Sequence, residues 1–351
     1  MQPGWLFRLG GADMQFLSRL ENAVKPHAVI LITLFALIIS MSFIAPNFLS
    51  VGNIIDIIRV NSIKGIVSIG MTYVLLTGGI DLSVGSTFAI AGAVTASFVT
   101  GSYSDYITSN LFKCPTLLAI LIGLVAAACI GLINGLIITK LKVEPFITTL
   151  AMMTFGRGIT YLYTGGYPIN FKPIPKDFAW LGKGYLGILP LPAVMFIVVI
   201  LIGGFLLKYT SYGRSLYAIG GNRESAELSG IAIDKNICIT YIITAVLAGL
   251  AGIIMTSRVA SASAVAGESY EMDIIASVVL GGTLQTGGVG SITGTVIGVF
   301  IFGIIENGLN ILGMPTYFKL LIKGVVIILA LGGHYVLPHR KMRTTGGKIN
   351  A

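Results

Sequence analysis

The sequence predicts an all-α integral membrane protein with about ten transmembrane helices. Of its 351 residues, 55% are hydrophobic and 11% are charged, whereas soluble domains carry about 25% charged residues. The mean hydropathy is +0.90, which argues strongly against a soluble fold. Long apolar runs recur along almost the whole chain, and a helix needs about 20 mostly apolar residues to cross the ~30 Å hydrocarbon core of a bilayer.

Ten apolar runs are candidate spans, separated by shorter polar segments. The eighth run is too short to span unaided, so we expect a half-helix or a helix packed inside the protein. Residues 47–61 are amphipathic, and we interpret them as an interfacial segment outside the count. The candidate spans, in order, are 28–46, 62–79, 82–100, 116–139, 146–164, 189–208, 236–256, 272–284, 289–310 and 317–337.

The distribution of basic residues predicts that both termini are cytoplasmic. An even number of spans places both ends of the chain on one side, and Lys and Arg are more frequent in the loops of that side. Lys64 is counted with the loops of the opposite side. We therefore divide the chain into a cytoplasmic amino-terminal segment, 1–27, a ten-span domain, 28–337, and a basic cytoplasmic tail, 338–351. The first apolar run lacks a convincing cleavage site and is interpreted as an uncleaved span.

The net charge of +9 does not predict nucleic-acid binding, because the basic residues lie between apolar runs and match loops facing anionic lipid. The sequence contains no phosphate-binding G-x-x-x-x-G-K-[ST] motif and no H-E-x-x-H zinc motif. Its three histidines and three cysteines form no catalytic or metal-binding pattern. We expect a protein that is not an enzyme and that holds no cofactor.

One polar stretch between two apolar runs carries both signals of a short helix. In GRSLYAIGGNRESAELSGIAIDKN, 213–236, Asn222 is a suitable N-cap, Glu224 suits the positive end of the helix dipole, and Gly230 suits the left-handed position after the last turn. An isolated helix this short is marginal in water. It is either an ordered loop or a docking element for a cytoplasmic partner, and we expect a bulky side chain at Ala226 to disturb docking. The predicted helix comprises Asn222, Arg223, Glu224, Ser225, Ala226, Glu227, Leu228, Ser229 and Gly230.

Four motifs resemble a known family, the permease subunits of bacterial ATP-binding cassette (ABC) importers for simple sugars such as ribose, galactose and galactofuranose. The motifs are GMTYVLLTGGIDLSVGS at 70–86, EPFITTLAMMTFGRG at 144–158, GRSLYAIGGNRESAELSGI at 213–231 and YEMDIIASVVLGGTLQTGGVGSITGTVIG at 270–298. The resemblance extends from about residue 28 to residue 335. The first 22 residues are not a part of the chain that the family fixes.

The resemblance implies a fold similar to that of the cobalamin importer permeases, in the bacterial cytoplasmic membrane. It further implies pairing with a second permease chain, either identical or a sibling, and contact with cytoplasmic ATPase subunits that hold ATP and Mg²⁺. A periplasmic or lipid-anchored sugar-binding protein would dock on the other side. Residues 222–230 would be the coupling helix, which fits a groove of the ATPase.

Two other functions remain open from the residues alone. A self-contained secondary transporter would be driven by an ion through Glu306, Lys323 or Asp81, and a passive channel would need no coupling. A capped cytoplasmic helix is not required by either.

Polar side chains inside the predicted spans are further candidates, because charges in a bilayer need a reason to be there. We favour Asp81 as the N-cap of span 82–100 over a gating role, assign Arg157 a structural pairing, and consider a Glu306–Lys323 ion pair. Candidates for a weakly binding sugar path are Ser83, Thr87, Asn134 and Asn310.

Two acidic residues lie near the start of the predicted eighth helix, and two distant segments have similar sequences. Glu271 and Asp273 either face the binding protein or cap the eighth helix. The segment LLTGGIDLSVGSTFAIAG resembles VVLGGTLQTGGVGSITG, and duplicated halves are common in transporters. The match is too short to fix the symmetry of the fold.

Overall fold

The computed structural model describes residues 28–101, 112–326 and 328, which are mostly helical. The predicted amino-terminal segment, the carboxyl end of the last span and the basic tail lie outside the described residues. Four helices are long and apolar enough to cross a membrane, namely Thr116–Lys140, Leu191–Tyr209, Ile233–Val259 and Ile292–Ile311. Two shorter apolar helices, Ala28–Ile44 and Val84–Thr100, accompany them.

The first part of the fold is a series of helices with short connections. Ser50 begins α2 by accepting the amide hydrogen of Asn53, and Gly101 and Gly165, with φ of 70° and 63°, end α3 and α5. Only glycine adopts this left-handed conformation without strain. The helices are α1 (Ala28–Ile44), α2 (Val51–Leu76), α3 (Val84–Thr100), α4 (Thr116–Lys140) and α5 (Pro145–Thr164).

The second part alternates long helices with short helices and two-residue strands. Strand β1 (Ile169–Asn170) pairs with β4 (Ser261–Ala262), and β2 (Tyr185–Leu186) pairs with β3 (Leu189–Pro190), both antiparallel. The helices are α6 (Lys176–Lys183), α7 (Leu191–Tyr209), α8 (Ser211–Gly221), α9 (Arg223–Leu228), α10 (Ile233–Val259), α11 (Tyr270–Leu280), α12 (Ile292–Ile311) and α13 (316–326).

Helix α10 lies at the centre of the core, where it packs against α2, α3 and α4. Tyr241 is fully buried on it. Glycines bring the backbones close together: a Cβ at Gly131 would lie 2.5 Å from the carbonyl oxygen of Tyr241, and one at Gly252 would overlap the carbonyl oxygen of Phe88. The small-residue texture of the sequence therefore serves helix packing.

The predicted helices correspond closely to observed ones, with one correction. Residues 47–61 are not a separate interfacial segment, because α2 begins at Val51 and continues to Leu76 without a break. The polar residues at the expected boundary satisfy their own hydrogen bonds within the helix: Asn61 donates to the carbonyl of Ile57 at 2.8 Å and Ser62 to that of Ile58 at 2.6 Å. The eighth run is an 11-residue helix, α11, as its short apolar stretch predicts.

Candidate functional site

The predicted coupling helix is formed with both of its expected caps. The Asn222 side-chain oxygen accepts the amide hydrogen of Ser225 at 2.8 Å, which satisfies one of the free N–H groups at the helix start. Helix α9 ends at Leu228, and Gly230 follows with φ of 77°. The role of this helix in docking stays a prediction.

Every residue of the coupling helix except Ala226 is exposed, and the burial of Ala226 corrects one expectation. Ala226 is only 2% exposed and belongs to the hydrophobic core of this chain. It therefore faces inward, and a bulky residue there would disrupt this chain's own packing before it met a partner. The other residues of 222–230 are exposed. Leu228 is 84% exposed, which makes it the apolar side chain that a partner would bury.

Two open cavities adjoin the coupling helix at the end of the bundle where α4 ends and α10 begins, here called the coupling end. The first, of about 300 Å³, is lined in part by Gly78, Gly79, Glu144, Arg223 and Tyr241. The second, of about 460 Å³, is lined by Lys140, Lys142, Arg223, Glu227, Ile231, Ala232, Ile233, Asp234 and Lys235. Both cavities include Arg223, so the coupling helix forms one wall of each.

Three of the polar residues proposed from sequence form one buried hydrogen-bonded chain. Asn134 donates to the Ser83 hydroxyl at 2.9 Å, and that hydroxyl donates to the Asp81 carboxylate at 2.6 Å. Asp81 also accepts the amide hydrogen of Ser83 at 2.9 Å. Asp81 thus binds the start of α3, although Ser83 itself occupies the N-cap position. The Asn134 side-chain oxygen and the Thr87 hydroxyl are buried with no hydrogen-bond partner among the described residues.

Asn310 does not join this group and corrects the expectation that it faces inward. Its side chain is exposed near the end of α12 and accepts a hydrogen bond from Lys319 at 2.5 Å. Because α12 begins at the coupling end, Asn310 lies at the opposite end of the bundle. Its position near the end of α12 could be predicted from the sequence, but the direction of its side chain could not.

Four charged residues from four helices form an ion quartet, in which Lys64 and Asp273 are buried and Glu306 and Lys323 are partly exposed. Lys64 on α2 contacts Asp273 at 2.8 Å and Glu306 at 2.5 Å, while Lys323 on α13 contacts Asp273 at 2.9 Å and Glu306 at 3.5 Å. The expected Glu306–Lys323 pair is therefore present, but the shorter contacts of both residues are with others. Two positive and two negative charges balance, which lowers the cost of burying them.

The quartet corrects two sequence interpretations. Lys64 is not a loop residue: its side chain is 8% exposed inside the bundle. Asp273 neither caps α11 nor faces a partner, because its side chain is 4% exposed and points at the two lysines. Charge counting along the sequence missed the quartet because the two carboxylates that contact Lys64 lie 209 and 242 residues away from it.

Arg157 and Glu271 lie near each other at the opposite end of the bundle. The guanidinium of Arg157 donates to the carbonyl oxygens of Ala264 and Ala266, so its partners are backbone groups of the 260–269 loop. Glu271 is 8% exposed, which argues against an open docking surface at this residue. Among the residues that the structure describes, no cluster of His, Cys, Asp and Glu is suited to hold a metal ion.

Comparison with known proteins gives consistent matches. Residues 53–331 match the family described as branched-chain amino acid transport system / permease component. The ribose import permease protein RbsC of Bacillus subtilis is 44% identical over 298 residues, covering 85% of this chain and 89% of that protein.

Two further relatives carry other sugar names. The galactose/methyl galactoside import permease protein MglC of Escherichia coli is 36% identical, covering 86% of this chain and 91% of that protein. The D-allose transport system permease protein AlsC of Escherichia coli is 37% identical, covering 81% and 83%. No solved structure matches the chain.

Proposed function

Since the chain belongs to the branched-chain amino acid transport system / permease family, we propose that it is the membrane subunit of an ABC importer that translocates a monosaccharide. The relatives named for ribose, galactose and allose support the substrate class. Ribose permeases share 41–44% identity with the chain, against 36–37% for the galactose and allose permeases. Ribose or a related simple sugar is therefore the substrate that we propose.

The proposed fold has ten membrane-embedded helices in a cobalamin-importer-like arrangement, with both termini in the cytoplasm. The ten are α1–α5, α7 and α10–α13. A packing contact supports the placement of the amino terminus: Ile30 on α1 lies against Gly282, in the loop that contacts the coupling end. This end would face the cytoplasm, and the 28–337 domain would sit in the inner membrane of a bacterium.

The sequence contains no ATP-binding motif, so the proposed importer takes its energy from partner subunits. A second permease chain would complete the pathway, ATPase subunits would bind the coupling helix and hold ATP and Mg²⁺, and a sugar-binding protein would deliver substrate at the opposite end. The observation that carries this proposal is the capped and exposed helix α9, whose Leu228 is 84% exposed beyond a membrane-length bundle. A capped helix that packs on its own chain through Ala226 and exposes Leu228 is suited to dock on a partner.

The test uses Leu228→Ser in the reconstituted complex of permease, ATPase and binding protein. We expect the ATPase subunits to be lost during purification and ATP-dependent sugar uptake to fall to background. The matched control is Leu186→Ser, whose leucine is 55% exposed on β2, and we expect it to keep the ATPase. Sugar-stimulated ATP hydrolysis across a panel of pentoses and hexoses identifies the substrate. Normal ATPase binding by Leu228→Ser would contradict the docking role of Leu228. Ion-driven sugar accumulation by the isolated chain would contradict the proposed function and favour a secondary transporter.

A further inference from the structure

Two glycine-rich breaks in the helices meet in space, although about 200 residues separate them along the chain. The first break, 77–83, joins α2 to α3, and the second break, 281–291, joins α11 to α12. These are the two segments whose sequences resemble each other. The amide of Gly288 donates to the carbonyl oxygen of Leu76, at the end of α2, at 3.0 Å. A Cβ added at Gly287 would lie 3.0 Å from the amide nitrogen of Gly78.

Helix α8 packs on the same point, directly before the coupling helix. A Cβ at Gly220 would overlap both the carbonyl oxygen of Leu76 and the amide nitrogen of Gly288, and one at Gly287 would lie 2.8 Å from the Cα of Gly220. The hydroxyl of Tyr217 donates to the carbonyl oxygen of Gly290 at 2.9 Å. Helix α8 therefore contacts the end of α2, where the first break begins, and the second break through backbone atoms, and the Tyr217 side chain adds a hydrogen bond to the second break.

These contacts define a glycine junction formed by Leu76, Gly78, Gly220, Gly287 and Gly288. We propose that the junction is the positioning contact that makes both breaks follow the coupling helix, an inference that rests on the proposed function. Helix α8 ends at Gly221, and the next residue, Asn222, caps α9. A displacement of α9 is therefore transmitted directly to α8, because no loop separates the two helices.

The absence of side chains at the junction gives it its stiffness. Close-packed backbones have no rotatable group that can absorb a shift, because protein interiors are packed as densely as organic crystals. Movement of α8 relative to the core must therefore break the Tyr217–Gly290 hydrogen bond or carry the second break with it. Tyr217 adds a directed hydrogen bond that opposes separation.

Each break leads to a buried polar group, so moving it has a consequence for the pathway. The first break contains Asp81 and Ser83, which continue into the hydrogen-bonded chain to Asn134. The second break follows α11, the short helix that carries Asp273 of the ion quartet. The junction therefore joins the coupling helix to the two places where buried polar groups hold helices together.

The test compares two adjacent glycines of α8. Gly220→Ala adds a methyl group that overlaps the junction, whereas Gly221→Ala adds one with nothing within 4 Å. In the reconstituted complex we expect Gly220→Ala to retain ATPase binding and ATP hydrolysis while the sugar moved per ATP falls about 5- to 150-fold, the range of typical coupling energies. We expect Gly221→Ala to match the parent protein in both measurements.

If Gly220→Ala does not fold, Tyr217→Phe provides the test, because this change removes one hydrogen bond and adds no atoms. Its expected result is the same loss of sugar moved per ATP, in smaller measure, with the Michaelis constant for the loaded binding protein unchanged. Its control is Tyr209→Phe, whose tyrosine is 63% exposed at the end of α7. Parental sugar-to-ATP ratios in both Gly220→Ala and Tyr217→Phe overturn the junction proposal. Failure of the parent chain to bind an ATPase at all overturns the proposed function instead.

Discussion

Removing one carboxylate from the ion quartet should destabilise the bundle strongly. In Asp273→Asn, Lys64 and Lys323 lose the carboxylate that both contact within 3 Å, at 2.8 and 2.9 Å, and face Glu306 alone. The quartet changes from neutral to a net charge of +1 in a site where the Lys64 and Asp273 side chains are 8% and 4% exposed. Asparagine keeps the volume of the side chain, so the change isolates the charge.

The magnitude follows from the burial. Breaking a buried ion pair by removing one partner costs about 3–5 kcal/mol, because the remaining charge is left without compensation. This corresponds to about two to three and a half powers of ten in the unfolding equilibrium constant. The surface pair of Asp56 with Arg59, at 3.0 Å and with the aspartate 56% exposed, provides the control, and Asp56→Asn should cost about 0.2–1 kcal/mol.

The assay is equilibrium unfolding in mixed detergent micelles, followed by the helical circular dichroism signal. A compensating variant tests whether the charge causes the loss of stability. Adding Lys323→Met to Asp273→Asn restores the neutrality of the quartet and leaves the Lys64–Glu306 contact of 2.5 Å. We expect the double variant to be more stable than Asp273→Asn alone. Equal stabilities of Asp273→Asn and Asp56→Asn, or a double variant less stable than the single one, would refute the electrostatic reasoning.

Three further predictions concern a cap, a buried polar chain and a helix contact. Asn222→Ala removes the acceptor of the Ser225 amide and should cost about 0.5–2 kcal/mol of helix stability, measured as weaker ATPase binding in a titration; unchanged affinity would argue against a preformed coupling helix. Ser83→Ala breaks the link between Asp81 and Asn134 and should lower the free energy of unfolding by about 1–3 kcal/mol, with no effect counting against a structural chain. Gly252→Ala should lower the free energy of unfolding by about 1–3 kcal/mol through overpacking. The same change at Gly158, where a Cβ meets open space, should raise it by up to ~1 kcal/mol. The opposite order in thermal unfolding would contradict the packing seen around α10.

The helices were predictable from sequence because their signals are local. Apolar length marks the long helices, and Asn222 and Gly230 mark the ends of the short helix α9 within nine residues, so these helices and caps were confirmed. The burial of Ala226 was not predicted, because a six-residue helix carries too few apolar positions to show which side faces the core. Strand pairing between 169–170 and 261–262 could not be predicted, since two-residue strands have no detectable periodicity.

The site was less predictable because its contacts join distant parts of the chain. Lys64 was assigned to a loop since nothing near it in sequence reveals a partner, and Asp273 lies 209 residues away. The Asn134–Ser83 hydrogen bond spans 51 residues. Both contacts depend on which helices become neighbours, and that is decided by backbone approach at glycines such as Gly131 and Gly252, whose individual importance composition does not reveal.

The ion quartet also constrains the order of biogenesis. In the proposed ten-span fold, Lys64 would enter the membrane with α2, yet Asp273 is synthesised 209 residues later and Glu306 242 residues later. At about 5–20 residues per second, the lysine waits roughly 10–40 s without either carboxylate, while a lone charge at the centre of an inserting helix costs about 2.5–3.5 kcal/mol. In that fold, the insertion machinery or surrounding water would have to compensate the Lys64 charge until translation of α11 and α12 is complete. Truncated chains that end before Tyr270 should be targets for membrane quality control.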